Sequence, residues 1–151
     1  MKIVVDELSG QEIIEFLEEH VEEMRSVSPP ESTHALDLEG LRRPEVTFWS
    51  VMDGVAIAGC GALKELAPDR GEIKSMRTAA AYKGRGVASM VMRNILSEAR
   101  GRGYRRLSLE TGSCAFFAPA RNFYLKHGFS YCKPFSGYRD DPNSVFMEKV
   151  L

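Results

Sequence analysis

Between Glu72 and Leu96 the hydrophobic period changes, and glycines mark the change. Glu72-Ile73-Lys74-Ser75-Met76-Arg77-Thr78 alternates polar and apolar residues, the pattern of a half-buried strand after an Asp69-Arg70-Gly71 turn. From Val87 the apolar positions Val87, Met90, Val91, Ile95 and Leu96 follow i, i+3, i+4 spacing, the pattern of an amphipathic helix that Gly101 and Gly103 close. The segment between them, Lys83-Gly84-Arg85-Gly86, feeds a strand into a helix. A strand followed by such a helix and a further strand, Tyr104 to Glu110, is a crossover unit, so the chain cannot be all-helical or a plain antiparallel meander.

The flanking pattern supplies the rest of the order. Lys2 to Val5 reads as a short strand. Ser9 is placed to cap a helix carrying Ile13, Ile14, Phe16, Leu17 and Val21, and Leu36, Leu38 and Leu41 suggest a second short helix stopped by Pro44. Val46 to Met52 and Val55 to Leu63 read as a hairpin turning at Asp53-Gly54. Phe116 to Lys126 reads as a helix with Pro119 near its start and Gly128 as its stop, followed by strands near Phe129 to Cys132 and Ser144 to Val150. The order β-α-α-β-β-β-α-β-α-β-β is an α+β, or mixed α/β, plan in one domain spanning residues 1–151.

Composition removes several functions. Twenty Lys plus Arg against 21 Asp plus Glu give a net charge of −1, which argues against coating a polyanion, so no nucleic-acid partner is expected. The basic run Arg100 to Arg106 fits the end of a helix, where cations favour the dipole, better than a nucleic-acid patch. Apolar runs fall far short of the roughly 20 residues a membrane helix needs, and Asp6 and Glu7 interrupt any signal core, so a cytoplasmic protein without membrane association is expected. Cys60, Cys114 and Cys132 lack paired spacing and read as three buried thiols. His20, His34 and His127 are scattered, so no metal site is expected.

The glycine loop admits three chemical readings beside plain turn geometry. A nucleotide P-loop would need Lys-Ser or Lys-Thr after its last glycine, and none follows Gly86. A dinucleotide fingerprint would need a third glycine where Ser89 stands, although Glu110 lies about where a ribose-binding acid would, so this reading remains as an alternative. The third is phosphate capture by free amides at the start of the helix.

Lys83 to Ala88 resembles the Q/R-x-x-G-x-G/A pyrophosphate-binding motif of the GNAT superfamily of acetyl-CoA-dependent N-acetyltransferases, with Lys83 in place of Gln or Arg. Ala120 to Phe129 resembles the A-x-x-x-Y-x-x-x-G-F signature of the same family. Glu110 to Ser113 and Asp141 to Met147 resemble a branch of small bacterial GNAT proteins. The resemblance implies a central, mostly antiparallel sheet of about seven strands with about four helices, and transfer of an acetyl group from acetyl-CoA to a primary amine in a ternary complex. Small-molecule amines are favoured as acceptors because no protein-docking patch stands out. A silent CoA-binding regulator is the non-enzymatic alternative. A homodimer would be compatible with exposed apolar strand surface.

By the same resemblance, Lys83, Gly84, Arg85, Gly86, Val87, Ala88 and Ser89 cradle the pyrophosphate. The Met76 amide faces the thioester, and Arg77 and Thr78 pair through their backbone with the pantetheine arm. Glu72 stands where some members keep a general base, against the plainer reading of an exposed strand-end carboxylate. Glu110 is the reserve. Tyr124 is placed as the general acid toward the CoA thiolate, against the reading of a helix-core tyrosine. Phe117 departs from the family, which carries Asn seven residues before that tyrosine. Arg25, Arg42, Arg43, Tyr138 and Arg139 are candidates for the acceptor pocket, where convergence would favour an amine bearing a carboxylate.

Overall fold

Alternating β-branched and polar residues on both sides of the glycine loop build one sheet, and helices cover both of its faces. The computed structural model describes residues 1–151. In chain order the elements are β1 (Lys2–Val5), α1 (Gln11–Val27), α2 (Leu38–Leu41), β2 (Val46–Asp53), β3 (Ala56–Ala67), β4 (Arg70–Thr78), α3 (Val87–Gly101), β5 (Arg106–Gly112), α4 (Ala118–Lys126), β6 (Ser130–Cys132) and β7 (Ser144–Val150). The seven strands lie in the order β1-β2-β3-β4-β5-β7-β6. This is the expected mixed α+β plan with the expected order of elements.

Every neighbouring pair is antiparallel except β4 and β5, which the α3 crossover makes parallel. That parallel register holds only for Arg70 to Glu72 against Arg106 to Ser108. Past Glu72, β4 pairs with β3 alone; past Ser108, β5 pairs with β7 alone. The sheet therefore splits into two arms, each leaving one backbone edge without a strand partner.

Packing fixes where the split opens. The buried face of α3, Val87, Val91, Met92, Ile95, Leu96 and Ala99, lies in one core with Ile73, Leu107, Leu109 and Met147. Its approach to β3 needs a residue without a side chain, since a Cβ on Gly61 would stand 2.5 Å from Val91 Cγ1 and 2.7 Å from Met76 Sδ. The opposite face packs Ile13 and Leu17 of α1, and Leu41 of α2, on Phe48, Cys60 and Ala62. Opposite Gly61 the β4 register slips, and Ser75 takes φ +55°, a bulge in which a non-glycine residue is held in the left-handed region. Bulges re-aim the side chains that follow, and this one lies at the split.

Several local expectations are corrected. Gly10, not Ser9, is the N-cap of α1, and no side chain caps it. The β2–β3 turn is Gly54-Val55, because Asp53 already pairs with Ala56; Gly54 at φ +61° takes the position that demands glycine. The strand after the next turn begins at Arg70, so Glu72 is inside it and only 3% exposed, not a strand-end carboxylate in solvent. Of the cysteines only Cys60 is buried; Cys132 is half-buried and Cys114 exposed. The last helix is preceded by a 3-10 turn, Ala115–Phe117. No helix is long and apolar enough to cross a membrane.

Candidate active site

A cavity of about 680 Å³ occupies the split, within the range of small-molecule sites. It runs from the start of α3, between β4 and β5, to the segment that joins α1 to α2. Its two ends are made differently.

At the α3 end the wall is backbone. Gly84 and Gly86 hold φ +77° and +82°, a geometry that turns successive amides toward one side. The first intrahelical bond is donated by Met90 to Gly86 at 3.0 Å, and no side chain caps the helix. The amides of Gly84, Gly86, Val87, Ala88 and Ser89 donate to no acceptor in the protein. These N–H groups and the positive end of a 15-residue helix fit a phosphate-bearing ligand. Of the ten residues expected to bind it, Met76, Arg77, Thr78, Lys83, Gly84, Gly86, Val87, Ala88 and Ser89 line the cavity, and Arg85 does not: its guanidinium lies over the Tyr82 ring at 4.8 Å.

In the middle the wall is side chain. Glu72 Oε2 accepts from Tyr138 Oη at 2.7 Å and from Lys74 Nζ at 3.1 Å, while Tyr138 Oη accepts from the same ammonium at 3.0 Å. Glu72 and Lys74 are nearly buried, so this closed triangle satisfies both charges in a desolvated place. Burial, followed by the negative charge of Glu72, holds the Tyr138 phenol protonated well above its ordinary range. The His34 ring meets Tyr138 edge-on at 4.9 Å, and burial, then the Lys74 charge, lowers its pKa.

Across the split stands Glu110, on β5 and paired in register with Phe146. It lines the same cavity as Glu72 and Tyr124. Burial pushes its carboxyl up to about 7, against the partial opposition of the neighbouring Ser144 hydroxyl and then of the Lys74 ammonium, while Glu72 and Asp141 add to the rise. Tyr124 is buried on α4 beside it, and burial, then the Glu110 charge, raises the phenol's pKa. Phe117 lines the cavity through an apolar ring packed on Gly112, where a Cβ would come within 2.0 Å of it.

The α1 end differs from expectation. Arg25, Arg42, Arg43 and Arg139 do not reach the cavity; Arg42 instead donates to the Leu8 carbonyl at 2.6 Å. Tyr138 alone of that set joins the central cluster. The wall consists of His20, Glu23 and Met24 of α1, Ser32 to Ala35, and Ser75 and Arg77 of β4. His20, Ser75 and Lys74 were not singled out in the sequence. The doubled polar pair Lys74-Ser75, which breaks strict alternation, was the available signal of the bulge.

Comparison with known proteins agrees with this geometry. Residues 13–129 match the model of the acetyltransferase (GNAT) family. The chain is 56% identical over 151 residues to the uncharacterized N-acetyltransferase YsnE of Bacillus subtilis, with all of both chains covered. It is 34% identical over 140 residues to a protein of Azospirillum brasilense named IAA acetyltransferase, covering 92% of this chain and 90% of that one. A crystal structure from Klebsiella pneumoniae, provisionally named an acyl-CoA N-acyltransferase, superposes with a TM-score of 0.83 at 25% identity, covering 99% and 97% of the two chains. The split sheet, the uncapped helix and these likenesses lead to one conclusion: the chain belongs to the GNAT family and is an acyltransferase.

Proposed function

We propose that this protein transfers the acetyl group of acetyl-CoA to the primary amine of a small molecule by direct attack in a ternary complex. The observation that carries the reading is one continuous cavity joining the free amides of α3 to the half-buried carboxyl of Glu110, whose pKa desolvation raises to about 7. Acetyl-CoA supplies the thioester. The amides of Gly84 and of Gly86 to Ser89 hold its pyrophosphate. The free edge of β4 at Arg77 and Thr78 offers backbone groups to the pantetheine amides, and the Met76 N–H is the donor to the thioester oxygen.

An amine with a pKa near 10 is only about 0.1% neutral at pH 7, so its deprotonation limits attack. Glu72 and Glu110 both face the centre, and Glu110 is the better acceptor. Glu72 is held by an ammonium and a phenol, whereas Glu110 is poised at about 7, near the working pH. Glu72 then acts by fixing Lys74 and Tyr138. As the C–N bond forms and the C–S bond breaks, the amine proton passes to Glu110 and the thiolate accepts a hydrogen bond from Tyr124. Neutralising Glu110 also removes the negative charge that holds the Tyr124 proton, so the first transfer prepares the second.

The test is acetyl transfer to a panel of small amines with the parent, Glu110→Gln, Glu72→Gln and Tyr124→Phe. The expected result is a rise of kcat/KM with pH through about 7 that Glu110→Gln abolishes and Glu72→Gln keeps. Tyr124→Phe should lower kcat with little change in acetyl-CoA affinity. A parent profile flat across neutrality, or the same rise in Glu110→Gln, overturns this assignment.

A further inference from the structure

Just past the cradle, the junction of α3, α4 and β7 is basic. Ser89, the last cradle residue and part of the cavity wall, has its Oγ 3.4 Å from Nε2 of His127, the residue that ends α4. Arg93 follows Ser89 by four residues and so lies on the same side of α3, one turn on. Lys126 is the last residue of α4. Lys149 comes in from β7, and its ammonium fills the space where a Cβ on Gly128 would stand, directly after His127. Burial, then the charges of Lys126, Arg93 and Lys149, lowers the pKa of His127, and no acid is among the groups that act on it.

This convergence has no counterion. The ion pairs of the structure engage Arg70, Lys74, Arg77, Arg102 and Arg106, and none reaches Arg93, Lys126 or Lys149. The neighbouring acid on β7, Glu148, alternates to the other face of the sheet, where it pairs with Arg106 at 3.5 Å. A helix end accounts for Lys126, since a cation there favours the dipole, but not for Arg93 in the middle of α3 or Lys149 on a strand. Like charges gathered from three elements repel unless an anion joins them, and the free amides of the cradle already favour a phosphate-bearing ligand beside them.

Resting on the reading that acetyl-CoA lies in the cradle, we propose that Arg93, Lys126 and Lys149, with the Ser89–His127 pair beside them, form a second phosphate subsite that takes the ribose phosphate of CoA. CoA carries its pyrophosphate and its ribose phosphate at the same, nucleotide end. The first meets backbone amides. The second is a phosphate monoester, with a charge of about −2 at neutral pH, and it meets side-chain cations that give charge-assisted hydrogen bonds. The subsite makes the protein prefer CoA over thioester carriers that lack the ribose phosphate. A dianion among the three cations also removes the repulsion that disfavours a proton on His127, so occupancy raises the pKa of that ring.

The experiment titrates CoA and dephospho-CoA, which lacks only the ribose phosphate, by calorimetry into the parent, Arg93→Gln, Lys126→Gln, Lys149→Gln and the triple variant. The parent should prefer CoA by about 30-fold, each single variant should give up about 3-fold of that, and the triple variant should fall to within about 2-fold. The preference should also shrink at high salt. Dephospho-CoA is the internal control, because its affinity rests on the cradle and should stay within about 3-fold throughout; a folding defect would instead weaken both ligands together. Proton NMR of the His127 ring in the parent, assigned with His127→Gln, reads the subsite without any variant of the cations: CoA and adenosine 3′,5′-bisphosphate should raise its pKa, and dephospho-CoA should leave it nearly unchanged. Equal affinity of the parent for CoA and dephospho-CoA, or a preference that the triple variant keeps, overturns the proposal. Binding of neither overturns the acetyl-CoA reading and the subsite with it, whereas a preference for CoA without acetyl transfer to any amine overturns the transfer reading alone.

Discussion

The two ends of the cavity solve recognition with different parts of the chain. At the start of α3 the wall is made of amides held by Gly84 and Gly86, and the side chains around them are nearly incidental. In the centre and toward α1 the wall is made of Glu72, Lys74, Glu110, Tyr124, Arg77 and His20, and the backbone only delivers them. A backbone cradle suits a ligand shared by a whole family, because it survives changes of side chain such as Lys83 for Gln or Arg. A side-chain wall can differ from one member to the next and so sets the chemistry and the acceptor.

That contrast can be broken at either end. The largest effect is expected in the side-chain region, where Glu110→Gln should lower kcat/KM at pH 8 by about 10²- to 10⁴-fold, measured by release of free CoA. The same substitution should stabilise the fold. The Glu110 pKa rises from 4.5 to about 7 on folding, so the unfolded state releases its proton first and the parent loses stability as pH climbs through that window. Denaturant unfolding should show Glu110→Gln gaining on the parent from pH 4.5 to 7, reaching an advantage of about 2–3 kcal/mol above pH 7.

At the backbone end shape matters more than charge. Gly86→Ala puts a Cβ on a residue at φ +82° and should cost about 1–2 kcal/mol of stability and weaken acetyl-CoA binding about tenfold, read by thermal melts and calorimetry. Lys83→Gln should change acetyl-CoA affinity by only about 3-fold, and that small loss should shrink further in high salt. A Lys83 effect larger than the Gly86 effect would mean that the cradle binds by side chain after all.

The order of elements was legible because it rests on local periodicity: the α3 stripe from Val87 to Leu96 begins and ends where its apolar spacing does. The cradle was legible for the same reason, since glycine pairs before a helix carry their own geometry. The split between β4 and β5 was not, because it depends on where a parallel register stops, at Glu72 after three residue pairs, and no local pattern encodes that. Nor could the chain show Tyr138 closing on Glu72, a bond between residues 66 apart in sequence, or His20 meeting the β4 wall. The choice between Glu72 and Glu110 turned on those distant neighbours. In sequence both are acids on a strand, and only tertiary packing gives one an ammonium partner and leaves the other in a desolvated site that raises its pKa.

The most direct test is the titration of Glu110 itself, by carbon-13 NMR of its side-chain carboxyl in the free protein, with Glu110→Gln identifying the resonance. A midpoint at about 7 is predicted. A midpoint near the ordinary 4.5 would leave Glu110 without the proton affinity that the mechanism assigns to it and would contradict the account.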